Sequence, residues 1–165
     1  MNTNPEVLIE KYINKGVFVD TNLLLLWVVG TLDRKLITKF KRTEQFVNED
    51  FDTINDLFCA FKNLVTIPNV LTEVSNLAKL GKQGKVFFKE IFPKCITIMN
   101  EQYVSSRSVC SSSFFRFGLT DACILSLVKG KYLLLTDDFK LSQFFTSIGG
   151  DAINFNHIRM YNWKV

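Results

Sequence analysis

The chain has 165 residues, 47% hydrophobic and 22% charged, a balance that suits one folded domain with a single core and excludes a disordered tail or a fibrous repeat. Its 20 basic side chains against 16 acidic ones give a net charge of +4, too small an excess to identify a partner. The apolar run from Leu23 to Val29 stops at Gly30, well short of the roughly 20 residues a bilayer span needs.

The amino terminus, MNTNPEVLIEKY, carries no basic segment followed by an apolar stretch and a small-residue cleavage site, so a cytoplasmic location is the expectation. Gly16 to Asp20 (GVFVD) then reads as a strand, Asn22 to Val29 as a buried helix, and much of Arg34 to Asn63 as helical. Leu64 to Ile67 (LVTI) is the second expected strand, followed by helical segments at Asn69 to Leu80, just after Pro68, and at Gln83 to Ile91. Cys95 to Met99 (CITIM) is the third strand expected. A polar, Ser-rich loop, Ser105 to Ser113, precedes a helix at Asp121 to Lys129, with Thr120 in the N-cap position. Tyr132 to Leu135 (YLLL) and Ala152 to Phe155 (AINF) complete the strands, with a helix between them at Phe139 to Ser147. Such alternation predicts an α/β fold: a three-layer sandwich with a central, mostly parallel sheet of about five strands flanked by helices.

Cys59, Cys95, Cys110 and Cys123 lack a CxxC pair, and His157 is the sole histidine, so neither a zinc framework nor a redox motif has its usual spacing. The chemistry-bearing pattern is acidic instead. In a parallel α/β sheet the functional crevice lies outside the carboxyl ends of the strands. Asp20 ends the first strand inside the otherwise apolar run FVDTNLLLL, and Asp137 and Asp138 follow the strand ending at Leu135. Asp121 opens its helix, and Glu73 lies beside the apolar stripe of the helix that starts near Pro68. Carboxylates converging without His or Cys repel one another unless a hard cation neutralises them, which points to Mg²⁺ or Mn²⁺.

Four motifs, FVDTNLLL at Phe18 to Leu25, IPNVLTEVSNL at Ile67 to Leu77, GLTDACILSLV at Gly118 to Val128 and LLLTDD at Leu133 to Asp138, occur in an order that resembles the PIN-domain ribonucleases, among them the toxins of bacterial toxin-antitoxin pairs. The resemblance runs from Val17 to about Phe155. It implies a metal-dependent endoribonuclease whose ligands fall on Asp20, Glu73, Asp121 and Asp138, with Asp137 as the alternative fourth ligand. It further implies that Asn22 orients Asp20 or the attacking water, that Thr136 helps hold the site, and that the partners are RNA, an antitoxin protein and a second copy of the chain. The long excursion between Asp20 and Glu73, the Ser-rich loop and the extra residues after Asp138 depart from the compact toxin pattern.

An acidic centre needs positive surface around it to bind a polyanion. Setting the four candidate ligands aside from the 16 acids leaves the 20 basic side chains in larger excess. Lys79, Lys82 and Lys85 after Glu73, with Arg107 and Arg116 near the Ser-rich loop, are the candidate phosphate contacts, and Tyr103, Phe115 and Phe117 are candidates for stacking on bases. Arg34, Lys35, Lys39, Lys41 and Arg42 form a second basic stretch. Two other readings use the same residues. One is a haloacid-dehalogenase-like phosphatase with Asp20 as nucleophile and Asp137 and Asp138 on the metal, in which Thr66 also finds a role; the other is a non-catalytic nucleic-acid-binding module.

Overall fold

Strands β1 (Val17–Val19), β2 (Leu64–Thr66), β3 (Asn100–Glu101), β4 (Leu133–Thr136) and β5 (Ala152–Asn154) form one sheet in the order β3-β2-β1-β4-β5, every neighbouring pair parallel. The computed structural model describes residues 4–110 and 116–162. Every residue of β1, β2 and β4 is buried, as continuous apolar runs must be when helices cover both sheet faces.

Helix α1 (Pro5–Tyr12) precedes the sheet, capped by the Asn4 side chain, which accepts from the Glu6 backbone N–H. Helix α2 (Thr21–Leu32) is apolar all round, with Leu23 to Val29 buried without a break, so it has no solvent face to offer. It packs against α3 (Asn48–Ala60) and α4 (Pro68–Leu77). Trp27 is internal: its Nε1 donates to Asn55 Oδ1 at 3.3 Å and its ring meets Phe58 edge-on at 5.2 Å. After the short helices α5 (Gly84–Val86) and α6 (Phe92–Thr97) come α7 (Leu119–Val128), α8 (Phe139–Ser147) and α9 (Phe155–Asn162). Helix α8 packs on β4 and β5, and α9 on β5. The result is the expected three-layer α/β architecture, with all five strands parallel. No helix among the described residues is long and apolar enough to cross a membrane. All four cysteines are free, Cys95 and Cys123 buried, Cys59 and Cys110 exposed.

One strand is misplaced by the sequence pattern. Cys95 to Met99 is not β: it belongs to α6 and the turn after it, and the third strand is the polar pair Asn100–Glu101. An apolar run of five residues does not distinguish the two periods. Here the inward positions are Phe87, Phe92 and Cys95, at helical spacing, while Ile98 faces solvent. Pro93 lies within this helical stretch and is preceded by a widened turn over Phe87–Ile91 in which the Phe92 N–H reaches back to Phe87 O, which accommodates the proline ring without ending the helix. The segment from Arg34 to Asn63 is helical only at a single turn, Arg34–Leu36, and from Asn48 onward. Between them the buried Thr43 hydroxyl donates to Ile37 O at 2.7 Å and fixes the loop.

That loop is tied to α9. The buried Asp50 carboxylate accepts from Val47 N at 2.9 Å and pairs with Arg159 Nε at 2.8 Å, while Arg159 also donates to Gln45 O at 3.1 Å. Removing one partner of a buried pair leaves the other charge and an N–H unsatisfied. Asp50→Ala is therefore expected to destabilise the fold by roughly 2–4 kcal/mol, read as a lower urea midpoint with an unchanged slope; a change within error of wild type removes the tie from the account of stability.

Candidate functional site

In the order β3-β2-β1-β4-β5, the chain leaves β1 towards β2 on one side and β5 follows β4 on the other, so a crevice opens at the carboxyl ends of β1 and β4. Val19 pairs in register with Leu135, which brings Asp20 level with Thr136. Asp20 caps α2: its Oδ1 accepts from the Thr21 N–H at 2.6 Å, and its Oδ2 accepts from the Thr136 hydroxyl at 2.6 Å. The same Thr136 oxygen accepts from Asp138 N at 3.0 Å, so one buried hydroxyl orients the ends of both strands' exits. Asp138 caps α8, its Oδ1 accepting from Lys140 N at 2.7 Å and Leu141 N at 3.0 Å.

Glu73, in the second turn of α4, is held by two threonines. Its Oε2 accepts from the Thr21 hydroxyl at 2.7 Å, and its Oε1 accepts from the Thr120 hydroxyl. Thr120 is thus not the N-cap of α7. Gly118 takes that position with φ +90°, a left-handed backbone that favours glycine, and the helix begins at Leu119. The shift frees the Thr120 side chain for Glu73 and leaves Asp121 in the first turn with no hydrogen-bond partner among the described residues.

Asn22 does not contact Asp20. Its Nδ2 donates to both oxygens of Asp137, at 3.2 and 3.4 Å, and Gln45 Nε2 reaches the same carboxylate at 3.4 Å. Asn156 Nδ2 adds a bond to the Asp137 carbonyl at 3.0 Å. Asp137 is therefore held by amides, whereas Asp138 keeps one carboxylate oxygen without a hydrogen-bond partner among the described residues. The negative charge of Asp138 also bears on both Asp20 and Asp121.

Burial and mutual repulsion dominate the electrostatics. Asp20 is only 8% exposed, and burial pushes its carboxyl up to about 6 against the opposing pull of the Thr136 hydrogen bond, with Asp137 and Asp138 adding repulsion. Asp121 is pushed up to about 7, first by burial and then by Asp20, Asp138 and Glu73. Burial also raises Asp137. No lysine or arginine among the described residues forms an ion pair with Asp20, Glu73, Asp121 or Asp138. Acids from β1, α4, α7 and β4 thus share one neighbourhood without a basic counterion.

Oxygen-only donors, two of them buried and forced towards the protonated form, fit a hard divalent cation. No three metal-binding side chains among the described residues stand as a ready-made cage. The threonine hydroxyls and backbone amides instead hold Asp20 and Glu73 individually, and ligation requires the side chains to turn towards one another.

The candidate RNA contacts scatter. Helix α4 leaves the carboxyl edge of the sheet at Pro68 and runs about 15 Å to Leu77, so the exposed Lys79, Lys82 and Lys85 follow at its far end from the strand exits. Arg107 is exposed on the turn Ser106–Val109, and Tyr103 is 76% exposed. Arg116, five residues before Asp121, lies over the rings of Phe117 and Phe144, at 5.0 and 5.1 Å, and Phe117 packs on Phe144 instead of presenting a free face. Phe115 and Ser111 to Ser113 lie outside the described residues. The sequence pattern did not single out Thr21, Gln45 or Asn156 as supports; each is a short polar side chain with no period of its own, and only the approach of another element gives it a role. The Thr66 hydroxyl is buried at the end of β2 without a partner. Comparison with protein-family models, curated proteins and solved structures yields no match.

An acid whose folded-state pKa lies above its ordinary value makes the fold most stable at low pH, and that advantage is lost as pH rises through the raised value. For Asp121 the window runs from about 4 to about 7. Asp121→Asn is expected to raise the thermal midpoint of the metal-free protein at pH 8 and to leave it near wild type at pH 4.5; an equal effect at both pH values removes charge repulsion at this position.

Proposed function

We propose that the chain is a divalent-metal-dependent endoribonuclease with a PIN-like arrangement of acids. The observation that carries this reading is the Asp121 carboxyl, raised to about 7 by burial and by Asp20, Asp138 and Glu73 with no basic side chain in between. Proteins keep such repulsion at sites where charge is used. Asp20, Glu73, Asp121 and Asp138 would hold the ion, and Mg²⁺ or Mn²⁺ suits their all-oxygen donor set. When bound, the ion supplies Lewis acidity towards the phosphodiester and lowers the cost of deprotonating water.

The chain's own groups do the rest. Thr136 and the Thr21 N–H fix both oxygens of Asp20, and the hydroxyls of Thr21 and Thr120 fix Glu73, so each carboxylate keeps its place while its charge is uncompensated. Asn22 and Gln45 hold Asp137 beside the cluster and keep its charge at the edge of the site. Arg116 is the basic side chain in sequence closest to Asp121 and offers a guanidinium to an approaching phosphate. Having both oxygens of Asp20 engaged at a buried position favours a ligand over the free nucleophile that an aspartyl-phosphate mechanism needs.

The purified protein is expected to cut RNA in Mg²⁺ or Mn²⁺ and to stop in EDTA. Asp20→Asn keeps the two hydrogen-bonding oxygen and nitrogen positions of the side chain but removes its charge, and is expected to lower cleavage by at least about a hundredfold while the circular dichroism spectrum is retained. Cleavage that survives EDTA, or wild-type rates in the variant, rules the mechanism out. The toxin role, with an antitoxin and a second copy of the chain as partners, predicts growth arrest on induced expression that Asp20→Asn relieves.

A further inference from the structure

A cavity of about 650 Å³ lies beside β5, away from the acids themselves, with Arg116, Lys140, Ser142, Phe144, Asn154 and His157 among the residues around it. Its volume is that of a small-ligand site. The acid in its wall, Asp151, is already engaged by Lys11 at 2.6 Å and the Tyr12 hydroxyl at 2.8 Å, so Arg116 and Lys140 leave the lining positive.

Asn154 carries the specific feature. It is 4% exposed, its Oδ1 accepts from Asn156 N at 3.0 Å and so caps α9, and its Nδ2 has no hydrogen-bond partner. Capping explains the oxygen but not the nitrogen, because a serine or aspartate caps equally well without burying an unsatisfied donor. Asn154 pairs in register with Thr136, which holds Asp20, and Lys140 N holds Asp138. The cavity therefore begins one strand away from the acid cluster. Arg116 over Phe144 adds a flat, cationic surface of the kind on which bases stack.

We propose that this cavity binds a base of the RNA strand whose backbone crosses the acids, with Asn154 Nδ2 donating to a carbonyl oxygen on the base and Arg116 and Lys140 meeting the adjacent phosphate. The inference rests on the nuclease reading for the identity of the strand. An amide donor favours bases with a keto edge, uracil and guanine, over those with an amino edge, cytosine and adenine. Asn154→Asp keeps the cap and converts the donor into an acceptor, which inverts that preference.

The test is equilibrium binding of fluorescent oligo(U) and oligo(C), which differ only at the keto or amino group of each base, to the full chain in EDTA. Wild type is expected to bind oligo(U) about tenfold more tightly than oligo(C), and Asn154→Asp to abolish or reverse the ratio with its melting temperature unchanged. Asn154→Ser, which also caps, is expected to abolish the ratio and serves if the aspartate variant does not fold. Equal binding of both oligonucleotides by wild type, no binding of either, or a ratio untouched by these substitutions overturns the proposal. Cleavage in Mg²⁺ or Mn²⁺ is scored separately. A ratio that depends on Asn154 without cleavage keeps the subsite and removes the nuclease, and cleavage with no such ratio removes the subsite alone.

Discussion

The repulsion among Asp20, Glu73, Asp121 and Asp138, four carboxylates brought to one crevice without a basic partner among the described residues, is the constraint around which the rest of this structure is arranged. Like charges at close range in a partly buried site raise one another's pKa and oppose folding. The structure meets this with neutral donors. Thr136 and the Thr21 N–H hold Asp20, Thr21 and Thr120 hold Glu73, and the helix end at Lys140 and Leu141 holds Asp138. Hydroxyls and amides stabilise each carboxylate locally without cancelling its charge, and so leave a negative pocket that a cation can fill.

Topology makes this placement possible. A parallel sheet sends every strand's exit to the same edge, and the switch between β1 and β4 leaves room there for side chains from several elements. Helix α2 can follow Asp20 directly because it is apolar throughout and accepts complete burial; the cost of the charged cap is offset by the first amide of that helix and by Thr136. The loop before α3 closes the other side. Arg159 of α9 pairs with Asp50 and bonds Gln45 O, while the Gln45 side chain reaches Asp137, which links the last helix of the fold to the rim of the acid site.

Asp137 and Asp138, adjacent in sequence, have different surroundings. Asp137 is enclosed by the amides of Asn22 and Gln45, and Asp138 faces the cluster while capping a helix. The difference follows from one peptide step at the end of β4, where successive residues leave the strand on opposite sides and meet different neighbours.

The sequence by itself determined the fold class, four of the five strand positions, the buried character of α2 and the identity of the acids, because apolar runs, turn residues and interrupted hydrophobicity are local properties of the chain. It did not determine whether CITIM is helix or strand, since five apolar residues satisfy both periods and only the inward packing of Phe87, Phe92 and Cys95 chooses between them. Nor did it determine that Asn22 serves Asp137, that Thr120 serves Glu73, or that the Asn154 amide is left unpartnered. A side-chain hydrogen bond between residues dozens of positions apart has no signature in either segment. It exists only once the sheet has fixed the distance between them.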